Sequence, residues 1–476
     1  MAGGSLGHKA ASGAVWASID RFGTMGVSFI VNLVLARLLM PADFGIVGML
    51  VIFIAVSQTL IDSGFSTALI QKKAPTQIDF STIFYWNIVL AAVLYVILFV
   101  SASYIADFYR MPLMCPVLRV IGISLILSGI NSVQLTRLRK SLSFKTIAVS
   151  NLVSAVASGF IAIGLAYRGF GVWSLVVMQI ASGIINVAIL AIVTRWHPSC
   201  VFSFESFKEL FSFGGFILAA NVLQTICQNF QGVIIGRKFS AVEMGYFSQA
   251  SKLDQVTSYS LPQVIVQVMY PVYSSIQDDR QRLQSMLLMN MRVISFVVFP
   301  LLGLLLLVAE SIIVGLYGEK WIESVPYFRI LCVGGLFVCL QNICFYAVAA
   351  VGRSKELFYW SFYKWGFLLL VLLVGSTIGM YGILWGMVAS SFNIFAVNSF
   401  LASKYVGLSV LSQVKSLIPV VVVLFVALGV AGFVATMCNV IIVGATFILV
   451  YIIGSLLINN VAIEETVQVL KRIINK

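Results

Sequence analysis

The chain has 476 residues, 60% of them hydrophobic and only 10% charged, with a mean hydropathy of +1.03. A water-soluble domain carries about 45–50% apolar and about 25% charged residues, so this composition excludes a soluble globular protein. The formal net charge of +13 comes from Lys and Arg scattered over short loops, a pattern that suits anionic lipid headgroups better than nucleic acid.

The apolar runs are too long for barrel strands and do not alternate, which predicts membrane-spanning helices. In chain order they are 13–39, 45–70, 80–105, 113–135, 146–167, 171–194, 212–236, 245–273, 292–316, 326–351, 357–378, 382–403, 417–437 and 440–459, fourteen in all. The first run continues too far for a cleaved secretory signal and is read as an uncleaved span. The run at 245–273 is the most polar. An even number of spans places both ends on one side. With that side cytoplasmic, 19 of the 30 Lys and Arg fall in inside segments and 6 in outside ones, as the positive-inside rule requires.

The chain also repeats itself. Arg37-Leu-Leu-Met-Pro-Ala-Asp43-Phe-Gly45 returns 200 residues later as Arg237-Lys-Phe-Ser-Ala-Val-Glu243-Met-Gly245. A weaker echo relates Gly171-Val-Trp-Ser-Leu to Gly382-Ile-Leu-Trp-Gly. Copies six spans apart share one orientation, which defines a parallel repeat. The expected fold class is therefore an all-α polytopic membrane protein. It would have about 14 transmembrane helices in two six-helix lobes around a central cavity, residues 1–200 and 201–410. Two further spans and a cytoplasmic tail would follow in 411–476.

Polar side chains inside such spans are costly and usually face a bundle interior or a wet cavity. Asp20, Arg21 and Asp62 form the first set. If spans one and two are antiparallel neighbours, Arg21 and Asp62 lie at similar depth. They could be a helix-joining ion pair, a pyrophosphate site or a proton-binding carboxylate, since Arg recognises phosphate by a bidentate fork. Asp20 and Asp62 are the candidates for ion coupling. Span seven carries Asn221, Gln224, Gln228 and Gln231 on one helical face, and span eight carries Lys252, Gln255, Tyr259, Gln263 and Gln267 at the same spacing. The two stripes could hydrogen-bond to each other or line a hydrated cavity for sugar hydroxyls. Pro262 supports a bend there. Lys364 lies about 10 Å into span eleven at 1.5 Å per residue, from where its stem could snorkel to the cytoplasmic face.

No chemistry-bearing motif accompanies these residues. The seven Cys and two His form no CxxC or Cys/His cluster, so neither disulfides nor a metal is expected. No Walker motif and no Asp-x-Asp pair occur, and no outside loop is large enough to house a glycan polymerase or ligase site. No cofactor is expected, and the chain reads as a transporter rather than an enzyme.

Several motifs in order resemble a known family. Pro41-Ala-Asp-Phe-Gly45 and Asp62-Ser-Gly-Phe-Ser-Thr-Ala-Leu-Ile-Gln71 match its first hairpin. Leu138-Arg-Lys-Ser-Leu-Ser-Phe-Lys145 and Gly169-Phe-Gly-Val-Trp173 match its middle. Tyr246-Phe-Ser-Gln-Ala-Ser-Lys252, Tyr270-Pro-Val-Tyr-Ser-Ser-Ile-Gln-Asp278 and Gly318-Glu-Lys-Trp321 match its second half. Over roughly residues 10 to 405 the chain resembles the Wzx-type polysaccharide flippases. Within them it is similar to the colanic-acid-exporter-like branch of the polysaccharide transporter family, in the multidrug/oligosaccharidyl-lipid/polysaccharide exporter superfamily. The resemblance implies translocation of an undecaprenyl-type polyprenyl-diphosphate-linked oligosaccharide across the bacterial inner membrane. The product would be O-antigen, capsule or exopolysaccharide, with a polysaccharide polymerase and export machinery as further partners. Rocking lobes would then pass the headgroup from Arg21 to Lys252, with Lys364 as a third phosphate-facing charge. The competing account makes Arg21 and Lys252 structural ion-pair members, Lys252 with Asp254 or an outer-loop acid. A drug or small-molecule/cation antiporter of the same superfamily is the alternative function.

Overall fold

A backbone inside lipid must satisfy its own hydrogen bonds, which a helix does within one segment. The computed structural model follows that constraint: it describes residues 2–62, 65–72, 74–435, 437, 439–458 and 461–466, and among them there is no strand. Contacts divide the chain into two units, Met1–Gly245 and Tyr246–Lys476.

The first unit holds α1 (Ala2–Leu38), α2 (Pro41–Asp62), α3 (Phe65–Gln71), α4 (Gln77–Tyr109), α5 (Met114–Ile121), α6 (Ile123–Lys140), α7 (Phe144–Tyr167), α8 (Val172–Thr194), α9 (Phe204–Lys238) and the start of α10 (Ala241–Gln255). The second holds the rest of α10, a π turn (Val256–Ser260), α11 (Leu261–Ser275), α12 (Arg280–Leu307), α13 (Ala309–Tyr317), α14 (Ser324–Ala350), α15 (Ser354–Ile378), α16 (Met380–Val406), α17 (Val410–Val434) and α18 (Val440–Ile458). Among the described residues, 12 helices are long and apolar enough to cross a membrane. Two further runs, α9 and α10–α11, also have the length to cross. The span expected at 113–135 is present as the single run Met114–Lys140, with a turn at Gly122 in helical backbone between α5 and α6, while that at 292–316 is interrupted at Val308.

In the first unit α1 packs along α7, and α7 on α8. Small residues permit the approach: Gly23 lies against Leu152 and Gly159 against Val31, where a Cβ would collide. The expectation that α1 and α2 are packed antiparallel neighbours is thereby corrected. The partner of α2 is α9, with Gly236 against Met49 and Tyr109, and the Thr59 and Thr225 hydroxyls 3.0 Å apart. An aromatic cluster of Phe65, Phe80, Trp196 and Phe207 closes one end of this unit. There Lys140 donates to the carbonyls of Leu69, Ile70 and Lys72, capping the short α3. Lys72 bridges Glu209 at 2.8 Å and Asp79 at 3.2 Å. The hydrogen bond that the ammonium donates to Glu209, with the one to Asp79 adding to it, holds it above its ordinary pKa.

The two copies of the sequence repeat meet reciprocally. A Cβ on Gly45 would overlap the Ala241 carbonyl oxygen, and one on Gly245 would overlap the Pro41 carbonyl oxygen. Pro41 and Ala241, like Gly45 and Gly245, are equivalent positions 200 residues apart. The contact therefore has the two-fold character that the repeat predicts.

In the second unit α14 packs against α16, α12 and α11, while α15 pairs with α16. Gly375 and Gly382 let the backbones of α15 and α16 touch. The α17–α18 pair is laid on α12 and fastened by polar contacts. Gln413 is wholly buried and fully bonded: its amide nitrogen donates to the Ser399 and Leu408 carbonyls, and its oxygen accepts from the Ser399 hydroxyl and the Cys344 thiol. Arg292 forks onto Glu465, one arm at 2.8 Å.

Candidate functional site

Two motifs of the first unit are turn chemistry. Gly169 (φ +79°) and Gly171 (φ +53°) adopt left-handed backbone that side-chain-bearing residues avoid, and they make the tight turn between α7 and α8. The Asp43 carboxylate lies against Gly171, 3.2 Å from where a Cβ would sit. It also accepts the Met40 backbone N–H at 2.9 Å, capping the start of α2. In the second unit Tyr246 and Trp321 stack edge to face with centroids 6.1 Å apart, and Trp321 is fully buried. These matching positions are therefore framework.

Asp20 turns toward α7. Its Oδ1 accepts from the Asn151 amide at 3.0 Å, and the Asn151 oxygen accepts from Asn186 on α8 at 2.9 Å. Thr24 donates to the same oxygen of Asp20 at 3.4 Å. This polar chain ties three helices together, and sequence spacing missed it because Asn151 and Asn186 are single amides in apolar runs. Arg21, one residue on, is exposed. Asp62 ends α2, and its side chain lies outside the described residues. The paired arrangement of Arg21 with Asp62 rested on α1 lying beside α2, and α1 instead lies beside α7.

On α9 the face that packs carries Cys227, Gly232, Ile235 and Gly236. The stripe residues share that general direction but are less covered: Gln224 and Gln228 are exposed, Asn221 and Gln231 half-buried. Among the described residues of this unit none of these four side chains is hydrogen-bonded. The polar groups that do bond belong to other positions, with Asn229 donating to the Thr225 carbonyl at 2.8 Å.

The second stripe does not keep its α-helical register. The π turn at Val256–Ser260 inserts an extra residue per turn, so Lys252, Gln255 and Tyr259 are exposed while Gln263 turns inward. Its oxygen accepts from Asn342 on α14 at 3.4 Å, and its side chain is 8% exposed. Gln267 has a side chain outside the described ones.

Lys364 does not snorkel. It is buried, donates to the Asn398 side-chain oxygen at 3.2 Å and lies 5.5 Å from the centre of the Phe345 ring. Asn398 in turn donates to the Gln341 carbonyl at 3.0 Å. Neighbours on α15 and α16 continue the polar seam, with the Tyr363 hydroxyl donating to Asn393 at 3.3 Å. No acidic side chain pairs with Lys364 among the described residues. In Lys364→Met, relief of the buried ammonium should offset the orphaned Asn398 oxygen, which alone costs about 1–3 kcal/mol. Thermal melts in detergent are expected to stay within roughly 1 kcal/mol of wild type by that balance; a larger fall would mean the ammonium organises the helix packing.

The chain can now be placed among known proteins. Residues 34–326 match the family described as "Polysaccharide biosynthesis protein". It is 28% identical over 364 residues to the teichuronic acid biosynthesis protein TuaB of Bacillus subtilis, covering 75% of this chain and 74% of that one. It is 25% identical to the lipopolysaccharide biosynthesis protein WzxC of Escherichia coli, covering 71% and 69%. Among solved structures it is similar to the lipid II flippase MurJ in an inward closed conformation. The TM-score is 0.74 at 13% identity, covering 92% of this chain and 97% of that one. An inward-facing MATE-family multidrug transporter of the MOP superfamily matches with a TM-score of 0.64 at 14% identity, covering 83% and 98%. With more than half its length inside the family match and the fold shared with these transporters, the chain is a multi-pass helical membrane protein belonging to the polysaccharide biosynthesis protein family.

Proposed function

We propose that this chain is a flippase that moves polyprenyl-diphosphate-linked oligosaccharide units across the bacterial inner membrane by alternating access, for export of a surface polysaccharide. The family match carries the glycan part of the reading, and the likeness in fold to a lipid-linked-precursor flippase is consistent with it. A diphosphate moved bare through hydrocarbon would cost tens of kcal/mol on idealised Born estimates, so polar side chains must line its path. Arg21, Gln224, Gln228, Lys252, Gln255 and Tyr259 are exposed on membrane-crossing helices, and they suit that role: the cations for phosphate, the amides and phenol for sugar hydroxyls. In this reading both termini are cytoplasmic, the protein catalyses no covalent step, and a polymerase consumes its product. A cation-coupled antiporter would share the fold, but it would not call for the glycan-biosynthesis relatives.

The reading is tested on Arg21→Gln and Lys252→Gln in a strain that depends on this chain for its surface polysaccharide. Each variant is expected to cut export at least tenfold at normal protein level. Wild-type export from both would sink the assignment of these residues. Drug resistance without any glycan phenotype would favour the antiporter.

A further inference from the structure

An arginine of the first unit lies along a seam that the transport reading does not use. On α4, Tyr95, Phe99 and Ser103 recur every four residues and share one face. On α5 and the residue after it, Cys115, Arg119 and Gly122 recur at steps of four and three. The two helices run antiparallel through the turn at 110–113, and the stripes meet in register. A Cβ on Gly122 would sit 3.0 Å from the Tyr95 ring. The Arg119 guanidinium lies 4.5 Å from the centre of the Phe99 ring. Ser103 Oγ and Cys115 Sγ are 3.6 Å apart.

The guanidinium is held from the α4 side. Its Nε donates to the Phe99 carbonyl at 3.3 Å and one Nη to the Ser103 hydroxyl at 3.4 Å. Its other N–H groups meet no acceptor among the described residues, and Arg119 forms no ion pair there. A cation inside a membrane span calls for a partner. Arg119 is about 8 Å along α5 from Met114 at 1.5 Å per residue. Side chains tilt toward the N-terminus of their helix, which for α5 is the end at the turn. The stem therefore carries the guanidinium toward the membrane surface, where headgroup phosphates lie.

What stands beside the seam selects the ligand. The adjoining stripe of α4, Val96, Val100 and Tyr104, is exposed and mainly apolar, as a face turned to acyl chains is. Nearer the turn come Asp107 and Arg110, both exposed, whose formal charges offset each other. The local charge is thus one guanidinium, which matches one phosphodiester. A diphosphate would leave excess charge away from water, which is costly. A zwitterionic headgroup brings its own ammonium and needs the arginine less.

We propose that Arg119, steadied by Ser103, is a binding site for the phosphate of an anionic phospholipid, with an acyl chain lying along Val96, Val100 and Tyr104. The open N–H groups donate to the phosphate oxygens as charge-assisted hydrogen bonds. In the proposed orientation this lipid belongs to the outer leaflet, and it fills the α4–α5 seam beside the turn at Gly122. The inference is independent of what the chain transports.

The test titrates the full chain in detergent with phosphatidylglycerol and, separately, phosphatidylethanolamine, followed by native mass spectrometry and thermal melts. Phosphatidylglycerol should bind in preference and raise the midpoint, as a ligand of the folded state does. Arg119→Gln should weaken that binding about tenfold, the loss of one bond to a charged group, and remove the rise in midpoint. Arg168→Gln, at the exposed turn between α7 and α8, should leave both unchanged. In wild type a photoreactive phosphatidylglycerol should cross-link within 95–122, an arm that needs no variant to fold. No preference for phosphatidylglycerol, unchanged binding in Arg119→Gln, an equal loss in Arg168→Gln, or cross-links confined to other helices would each overturn the proposal. Undecaprenyl diphosphate distinguishes the source of the phosphate. If it fails to displace the cross-linked phospholipid the assignment stands; if it displaces it at lower concentration than phosphatidylglycerol itself requires, the site belongs to a diphosphate lipid and the assignment falls.

Discussion

Gly45→Ala and Gly245→Ala should each lower the thermal midpoint of the protein sharply. At both positions the atom that the new methyl would meet is a backbone carbonyl oxygen, that of Ala241 or of Pro41. A flexible side chain could swing aside, but a carbonyl at the first turn of a helix cannot. Overpacking a well-packed contact costs about 1–3 kcal/mol and occasionally more, and the direct overlap puts these two at the upper end. The single changes touch one shared contact, so the double variant should fall short of their sum. Melts in detergent, read beside Gly315→Ala as a control in open space, check this. Equal midpoints for Gly45→Ala and Gly315→Ala would mean that α2 and α10 do not meet here in the folded protein.

The second large effect is expected at Gln413. Its side chain satisfies two backbone carbonyls and accepts from a hydroxyl and a thiol, with no solvent exposure. Gln413→Ala removes the donor to the Ser399 and Leu408 carbonyls, at about 1–3 kcal/mol for a buried carbonyl left unpaired, and opens a cavity besides. The Ser399 carbonyl keeps its bond within α16, so roughly 1–3 kcal/mol follows from the Leu408 carbonyl, with the cavity adding to it, enough to loosen α17 on α16 and expose the protein to proteolysis. Gln413→Glu discriminates the cause. It keeps the volume and the acceptors but loses the donors, so it should be nearly as damaging as Ala; a melt close to wild type would show that packing rather than hydrogen bonding holds this position.

Hydropathy and composition determined the class of this protein, because burying apolar side chains in lipid needs only enough of them in a row. They determined the helical architecture as well, since no other open backbone survives there. The repeat around Gly45 and Gly245 was legible because a close backbone approach leaves a local mark: Gly is required wherever a Cβ has no room. Tertiary structure decided what no spacing encodes. Depth along α1 and α2 suggested that Arg21 and Asp62 face each other, yet Gly23 and Gly159 give α1 its closest fit on α7, so Asp20 meets Asn151 instead. Lys364 has a stem long enough to reach water, but whether it does depends on what stands beside it. Here Asn398 offers an oxygen and Phe345 a ring face inside the bundle. The regular 3–4 spacing of the second stripe presumed an unbroken α-helix, and the π turn at Val256–Ser260 rotates Gln263 away from Lys252, Gln255 and Tyr259. Periodicity reports one helix at a time; which neighbour each face meets is set by packing among residues far apart in the chain.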